Sequence, residues 1–130
     1  MKKYECDLTP ESMMNVIQFV ENEVSKANVP VKIAMQVNVA VDEIYSNILH
    51  YSRATETTVE ISTDNNKIVL RFTDNGVPYD PTKKENPNTA LSAEERSIGG
   101  LGILMVKKTM DDMSYEYRDE HNILTITKAF

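Results

Sequence analysis

A single cysteine, Cys6, excludes an internal disulfide framework and fits a reducing compartment. With no histidine or cysteine partners in a spaced cluster, Cys6 reads as a small, buried apolar residue. No stretch reaches the roughly 18 apolar residues that would signal a membrane span. Lys2 and Lys3 lead into no apolar segment, so the first residues do not read as a signal peptide. A cytoplasmic location with no membrane partner is expected. Basic blocks are absent too. The net charge is −6 and the pI is near 4.9, so nucleic acid is a poor candidate partner. No internal repeat is present. The 130 residues suit one domain, 1–130, with one core.

Glycine is scarce, with only four in the chain, yet Gly99, Gly100 and Gly102 fall together in "RSIGGLGILMVKK". Glycine inside a helix costs about 0.5–1 kcal/mol relative to alanine. Such a cluster ahead of an apolar helical pattern signals a sharp bend or a close approach to bare backbone.

Periodicity orders the rest. "KKYECDL" alternates weakly, as a short edge strand does. Thr9 as cap, Pro10 at the first helical position and apolar residues at three- and four-residue steps predict a helix from about Pro10 to Ala27. A second helix is predicted from Val31 to Tyr51, its buried stripe marked by Ala34, Val37, Val41, Ile44 and Ile48. "TTVEIST" and "KIVLRFTD" are β-branched alternating runs joined by "DNN", a hairpin. "DNGVPYDP" is turn chemistry. Residues 81–97 are polar and aperiodic, and a connection of that length inside a compact domain is functional or disordered. A third helix over about Leu101 to Asp111 and a hairpin of "SYEYRD" with "NILTITKAF" follow. Consecutive hairpins predict an α+β fold: a two-layer sandwich with a mixed or antiparallel sheet and helices on one face.

Three places could carry chemistry. Glu43, Asn47 and His50 lie at i, i+4 and i+7, within about 60° on one helix face and beside the apolar stripe. An Asn47 amide oxygen suits a hard cation such as Mg²⁺, and Glu43 could take a proton. A solvated polar face accounts for the same spacing, and His50 fits a structural place at the helix end. Asp74 closes an apolar strand before Asn75-Gly76. It either caps the turn or offers a buried acceptor to a ligand amino group, with Gly76 giving that ligand room. The glycine cluster either makes a tight turn or opens a helix N-terminus to an anion. Its spacing is neither the Rossmann fingerprint nor a Walker A loop.

Taken in order, "DEIYSN", "DNGVP" and "GGLGILMVKKTMD" resemble the N box and the two glycine boxes of the ATPase superfamily shared by gyrase, heat-shock chaperones, histidine kinases and mismatch-repair proteins. The likeness covers about residues 10–130. The short form, with "DNGVPYDP" and then "GGLGILMVKK", is most similar to the anti-sigma-factor serine kinases. This resemblance implies a histidine-kinase-like ATPase fold that binds ATP and Mg²⁺. Asn47 would ligate the metal, and Glu43 would be the general base. Asp74 would accept from the adenine amino group, with Gly76 beside the base. Gly99, Gly100, Leu101 and Gly102 would meet the phosphates, Arg96 would be a phosphate contact, and residues 81–98 would form a lid.

The implied partners are an antagonist protein, phosphorylated on serine or threonine, and a sigma factor held in a partner switch. A homodimer is implied through the first helix, where Met13 and Met14 add adaptable apolar surface. One departure stands out: Pro78 follows Val77 where many members carry a further glycine, which stiffens the turn. The alternatives are a non-catalytic nucleotide-binding regulatory module and a pure interaction protein.

Overall fold

The computed structural model describes residues 1–83 and 100–130. Strand β1 (Lys2–Asp7) leads into helices α1 (Met13–Lys26) and α2 (Val31–Tyr51). Strands β2 (Glu56–Ser62) and β3 (Lys67–Asp74) follow, then helix α3 (Gly100–Thr109) and strands β4 (Asp112–Arg118) and β5 (His121–Ala129). The sheet order is β1-β2-β3-β5-β4, and every neighbouring pair is antiparallel. The antiparallel alternative is therefore the one realised, and β1 is an edge strand.

Alternation decides which face of the sheet is dry. Val59 and Ile61 of β2, Ile68, Leu70 and Phe72 of β3, and Leu124 and Ile126 of β5 are all buried. Every second residue between them is partly open to solvent. The dry face joins Val16, Val20 and Val24 of α1, Val37, Val41 and Ile44 of α2 and Val106 of α3 in one core cluster. Cys6 is half-buried at the margin of that cluster rather than inside it, because an edge strand has a neighbour on one side only. Met13 packs against the same core, while Met14 is 69% exposed.

Helix α1 begins later than its cap signal suggests. Ser12 and Met13 donate to the carbonyls three residues back, at 3.3 Å each, and the four-residue pattern starts only with Val16 on Ser12. The Thr9 hydroxyl still accepts the Ser12 N–H, at 3.2 Å. It thus caps a tight first turn rather than the α-helix proper. Helix α3 stops at Thr109, short of Asp111, because Asp111 already belongs to the sheet margin. Its N–H donates to the Thr127 carbonyl at 2.8 Å and its carboxylate accepts the Ala129 N–H at 2.6 Å. That second bond is the main cause holding the Asp111 carboxyl below the usual range.

The β2–β3 hairpin turns through Asn65 and Asn66, both at positive φ, a conformation asparagine tolerates. Asp119 and Glu120 turn the β4–β5 hairpin in the same left-handed region, as a two-residue loop requires.

Tyr45 ties the layers together. Its ring is fully buried in α2, and its hydroxyl donates to the Thr9 carbonyl at 2.6 Å while accepting the Thr9 N–H at 3.2 Å. Tyr45→Phe leaves both backbone groups without that partner and is expected to lower stability by about 1–3 kcal/mol. Urea unfolding of the two proteins checks this: the midpoint falls with an unchanged slope.

Candidate functional site

Helix α2 places Glu43 and Asn47 one turn apart, Glu43 against the start of α3 and Asn47 at a cavity. Asn47 is 3% exposed, and among the described residues neither its Oδ1 nor its Nδ2 has a hydrogen-bond partner. Buried amides are nearly always paired, so an unpaired one is a candidate binding point. Glu43 is half-buried. An ideal Cβ placed on Gly102 would lie 1.8 Å from Glu43 Oε2. The carboxylate therefore rests against the bare backbone of the first turn of α3, where the helix dipole favours negative charge. Burial, and after it the charge of Asp42, pushes the Glu43 carboxyl above its usual range.

The turn after β3 closes on the end of α2. The Val77 N–H donates to the Ser52 carbonyl at 2.7 Å. A Cβ on Gly76 would stand 2.1 Å from that carbonyl oxygen, so position 76 needs glycine for packing, whatever room it also gives a ligand. Asn75 pins the turn to β2, its Oδ1 accepting the N–H groups of Thr55 and Glu56 at 2.9 and 3.2 Å.

Asp74 is 3% exposed at the end of β3. Its Oδ1 accepts the Gly76 N–H at 2.9 Å and the Asn122 amide at 3.0 Å. Burial nonetheless raises the Asp74 carboxyl above its usual range, against hydrogen bonds from Asn122, Gly76 and Ser52 that lower it.

Between these groups lies a narrow cavity. Ile44, Ile48, Ile103 and Leu124 form its apolar walls, and Asn47, Ser52, Asp74, Tyr79, Tyr115 and Asn122 its polar points. Its free space of about 10 Å³ is roughly that of one water molecule, so a planar base would have to part the walls. The Tyr79 ring, itself a wall, stacks on Tyr51 with centroids 5.1 Å apart.

The structure thus brings Asn47 and Asp74 to one cavity, with Glu43 and Gly102 beside it and Gly76 underpinning the turn. Gly100 opens α3. Arg96, Gly99 and the Leu101 side chain lie outside the described residues, as does the lid beyond Lys83. His50 stays out: it is exposed at the helix end, its Nδ1 2.7 Å from the Ser46 carbonyl. Sequence reasoning missed Asn122 and Tyr115. One signal was available for Asn122. It occupies an inward position of the alternation that Leu124 and Ile126 continue, where a polar residue is out of pattern.

The sequence matches the histidine kinase-like ATPase domain family over residues 6–128. The chain belongs to that family. A histidine kinase-like ATPase domain is a nucleotide binder, and the resemblance carried by the three motifs holds at this level.

Two curated relatives are kinases. The chain is 24% identical to the serine/threonine-protein kinase BtrW of Bordetella bronchiseptica over 127 residues, covering 95% of this chain and 89% of that protein. It is 30% identical to the serine-protein kinase RsbW of Listeria monocytogenes over 112 residues, covering 80% of this chain and 71% of that protein. Among solved structures, a chain of the SiaB–SiaC complex from Pseudomonas aeruginosa has the same fold. Its TM-score is 0.64 at 13% identity, with 100% of this chain and 89% of that one covered. No described helix is long and apolar enough to cross a membrane.

The raised Asp74 carboxyl has a measurable consequence. Because the folded protein favours its neutral form, the stability Asp74 contributes is full below the ordinary carboxylate pKa and is lost as pH rises through the elevated one. Asp74→Asn removes that loss. The variant is expected to melt higher than the parent at about pH 8, the gap narrowing as pH falls through the carboxylate range. Thermal melts across that range check the sign.

Proposed function

We propose that this chain is an ATP-dependent serine/threonine protein kinase of the anti-sigma-factor type. It would transfer the γ-phosphate of ATP to a serine or threonine of an antagonist protein and hold a sigma factor in a partner switch. The observation that carries the reading is the buried Asn47 amide, unpartnered among the described residues. It lines a cavity bearing one buried carboxylate, one helical turn from Glu43, which rests on the glycine-bared start of α3. The named activities of BtrW and RsbW support the same reading.

In it, Asp74 accepts the adenine amino group and the apolar walls take the faces of the ring. Asn47 Oδ1 holds Mg²⁺. A hard cation of this kind takes oxygen ligands, and the Asn47 amide oxygen would supply one from this chain. Bound Mg²⁺ supplies neutralisation of phosphate charge. The backbone of α3 from Gly100, together with Gly99, Leu101, Gly102 and Arg96, would face the phosphates. Glu43 takes the proton of the attacking hydroxyl, and its raised pKa suits a base that must accept one. A cytoplasmic, homodimeric protein, with the exposed Met14 of α1 near the contact, completes the proposal.

Glu43→Gln keeps shape and loses the base. Calorimetric titration should find Mg-ATP affinity within about twofold of the parent. Transfer of labelled γ-phosphate to an antagonist protein should fall about 10²–10⁴-fold. Undiminished transfer would remove Glu43 from the mechanism, and a chain that binds no Mg-ATP would remove the kinase reading.

A further inference from the structure

Asn122 lies opposite Asp74 in the β3–β5 register, and its amide is fully engaged. Oδ1 accepts the Tyr79 N–H at 3.0 Å and the Tyr115 hydroxyl. Nδ2 donates to the Val77 carbonyl at 2.8 Å and to Asp74 Oδ1 at 3.0 Å. A backbone N–H and a backbone carbonyl cannot exchange roles. The amide is therefore locked in one orientation, with its donor on the carboxylate. Asn122 is 4% exposed, so these bonds face little competition from water.

The geometry points to Asn122 as the residue that sets nucleobase selectivity, by pinning Asp74 Oδ1 and so fixing the orientation in which the carboxylate meets the 6-amino group of adenine. With Asn122 and Gly76 both donating to Oδ1, the carboxylate cannot swing that oxygen away without losing two hydrogen bonds. Tyr115 and the Tyr79 backbone act one step further out, fixing the amide that fixes the carboxylate. Asn122 is a positioning residue, and this role rests on the reading of Asp74 as the adenine acceptor.

The test compares two ligands on the full chain by calorimetry. One is ATP. The other is purine riboside triphosphate, which lacks the 6-amino group and is otherwise the same. The parent protein should favour ATP at least about tenfold, because a site built to receive an amino group discriminates against its absence. Asn122→Asp keeps the acceptor for Tyr79 and Tyr115 but turns an oxygen on both Asp74 and the Val77 carbonyl. It should bring the preference within about threefold, through weaker ATP binding and unchanged analogue binding.

Equal weakening of both ligands, or an undiminished preference, would overturn the proposal while leaving Asp74 in its role. A parent protein that binds both ligands alike would instead overturn the adenine reading, and this proposal with it. Should Asn122→Asp fail to fold, Tyr115→Phe takes its place. It removes one of the bonds that lock the amide and should lower the ATP preference about threefold with analogue binding unchanged. No change in preference there would also overturn the proposal.

Discussion

The carbonyl of Ser52 accepts the Val77 N–H at 2.7 Å, and the side-chain-free position at Gly76 is what allows the two backbones so close. Much of the site depends on that contact. It sets the end of α2 against the end of β3, and so brings the Asn47 helix and the Asp74 strand to a common cavity. It also aims the chain from Val77 to Tyr79 across β5, where Asn122 collects it with one donated and one accepted bond. A methyl group at position 76 would not simply crowd a ligand. It would separate the layers that make the pocket, because the atom it meets is a helix-terminal carbonyl with nowhere to retreat.

The same cavity shows polar groups held where a core residue would be expected. Asn47 carries two amide atoms with no partner among the described residues, and Asp74 keeps a carboxylate that burial disfavours. Each detracts from the folded state, since buried polar groups without full compensation are unfavourable by about 1–3 kcal/mol. At Asp74 the bonds from Gly76 and Asn122 recover part of that loss; at Asn47 no described group does. Polar residues at such positions fit the proposed binding role better than a purely structural one.

Local chemistry explains where sequence reading succeeded. Helix α2 runs from Val31 to Tyr51 as its stripe requires, because Pro30 sets its start and a long apolar face leaves little freedom. The hairpins follow from alternation and, for β2–β3, from the asparagines of its turn. The misplaced ends, α1 at Met13 and α3 at Thr109, were decided by hydrogen bonds to groups no local pattern reveals: a tight turn on Thr9, and Asp111 drawn to β5. In the site, Glu43, Asn47 and Asp74 were legible because they stand in compact motifs. Asn122 was not, since its meaning lies in a partner 48 residues away. For Gly76, the motif pointed to a ligand, and the packing adds a second reason from within the protein.

The strand order has a temporal side. Because β5 lies between β3 and β4, the inner edge of β3 has no neighbour until β5 is made, long after β3 itself. During synthesis β1, β2 and the two long helices can pair and pack first, but the carboxylate of Asp74 then faces an open sheet edge with no amide opposite. A chain whose translation stalled before β5 would have its helices and no finished pocket, and the exposed edge of β3 would be open to other strands. Competence to recognise a nucleotide is thus acquired late, with the arrival of a single strand.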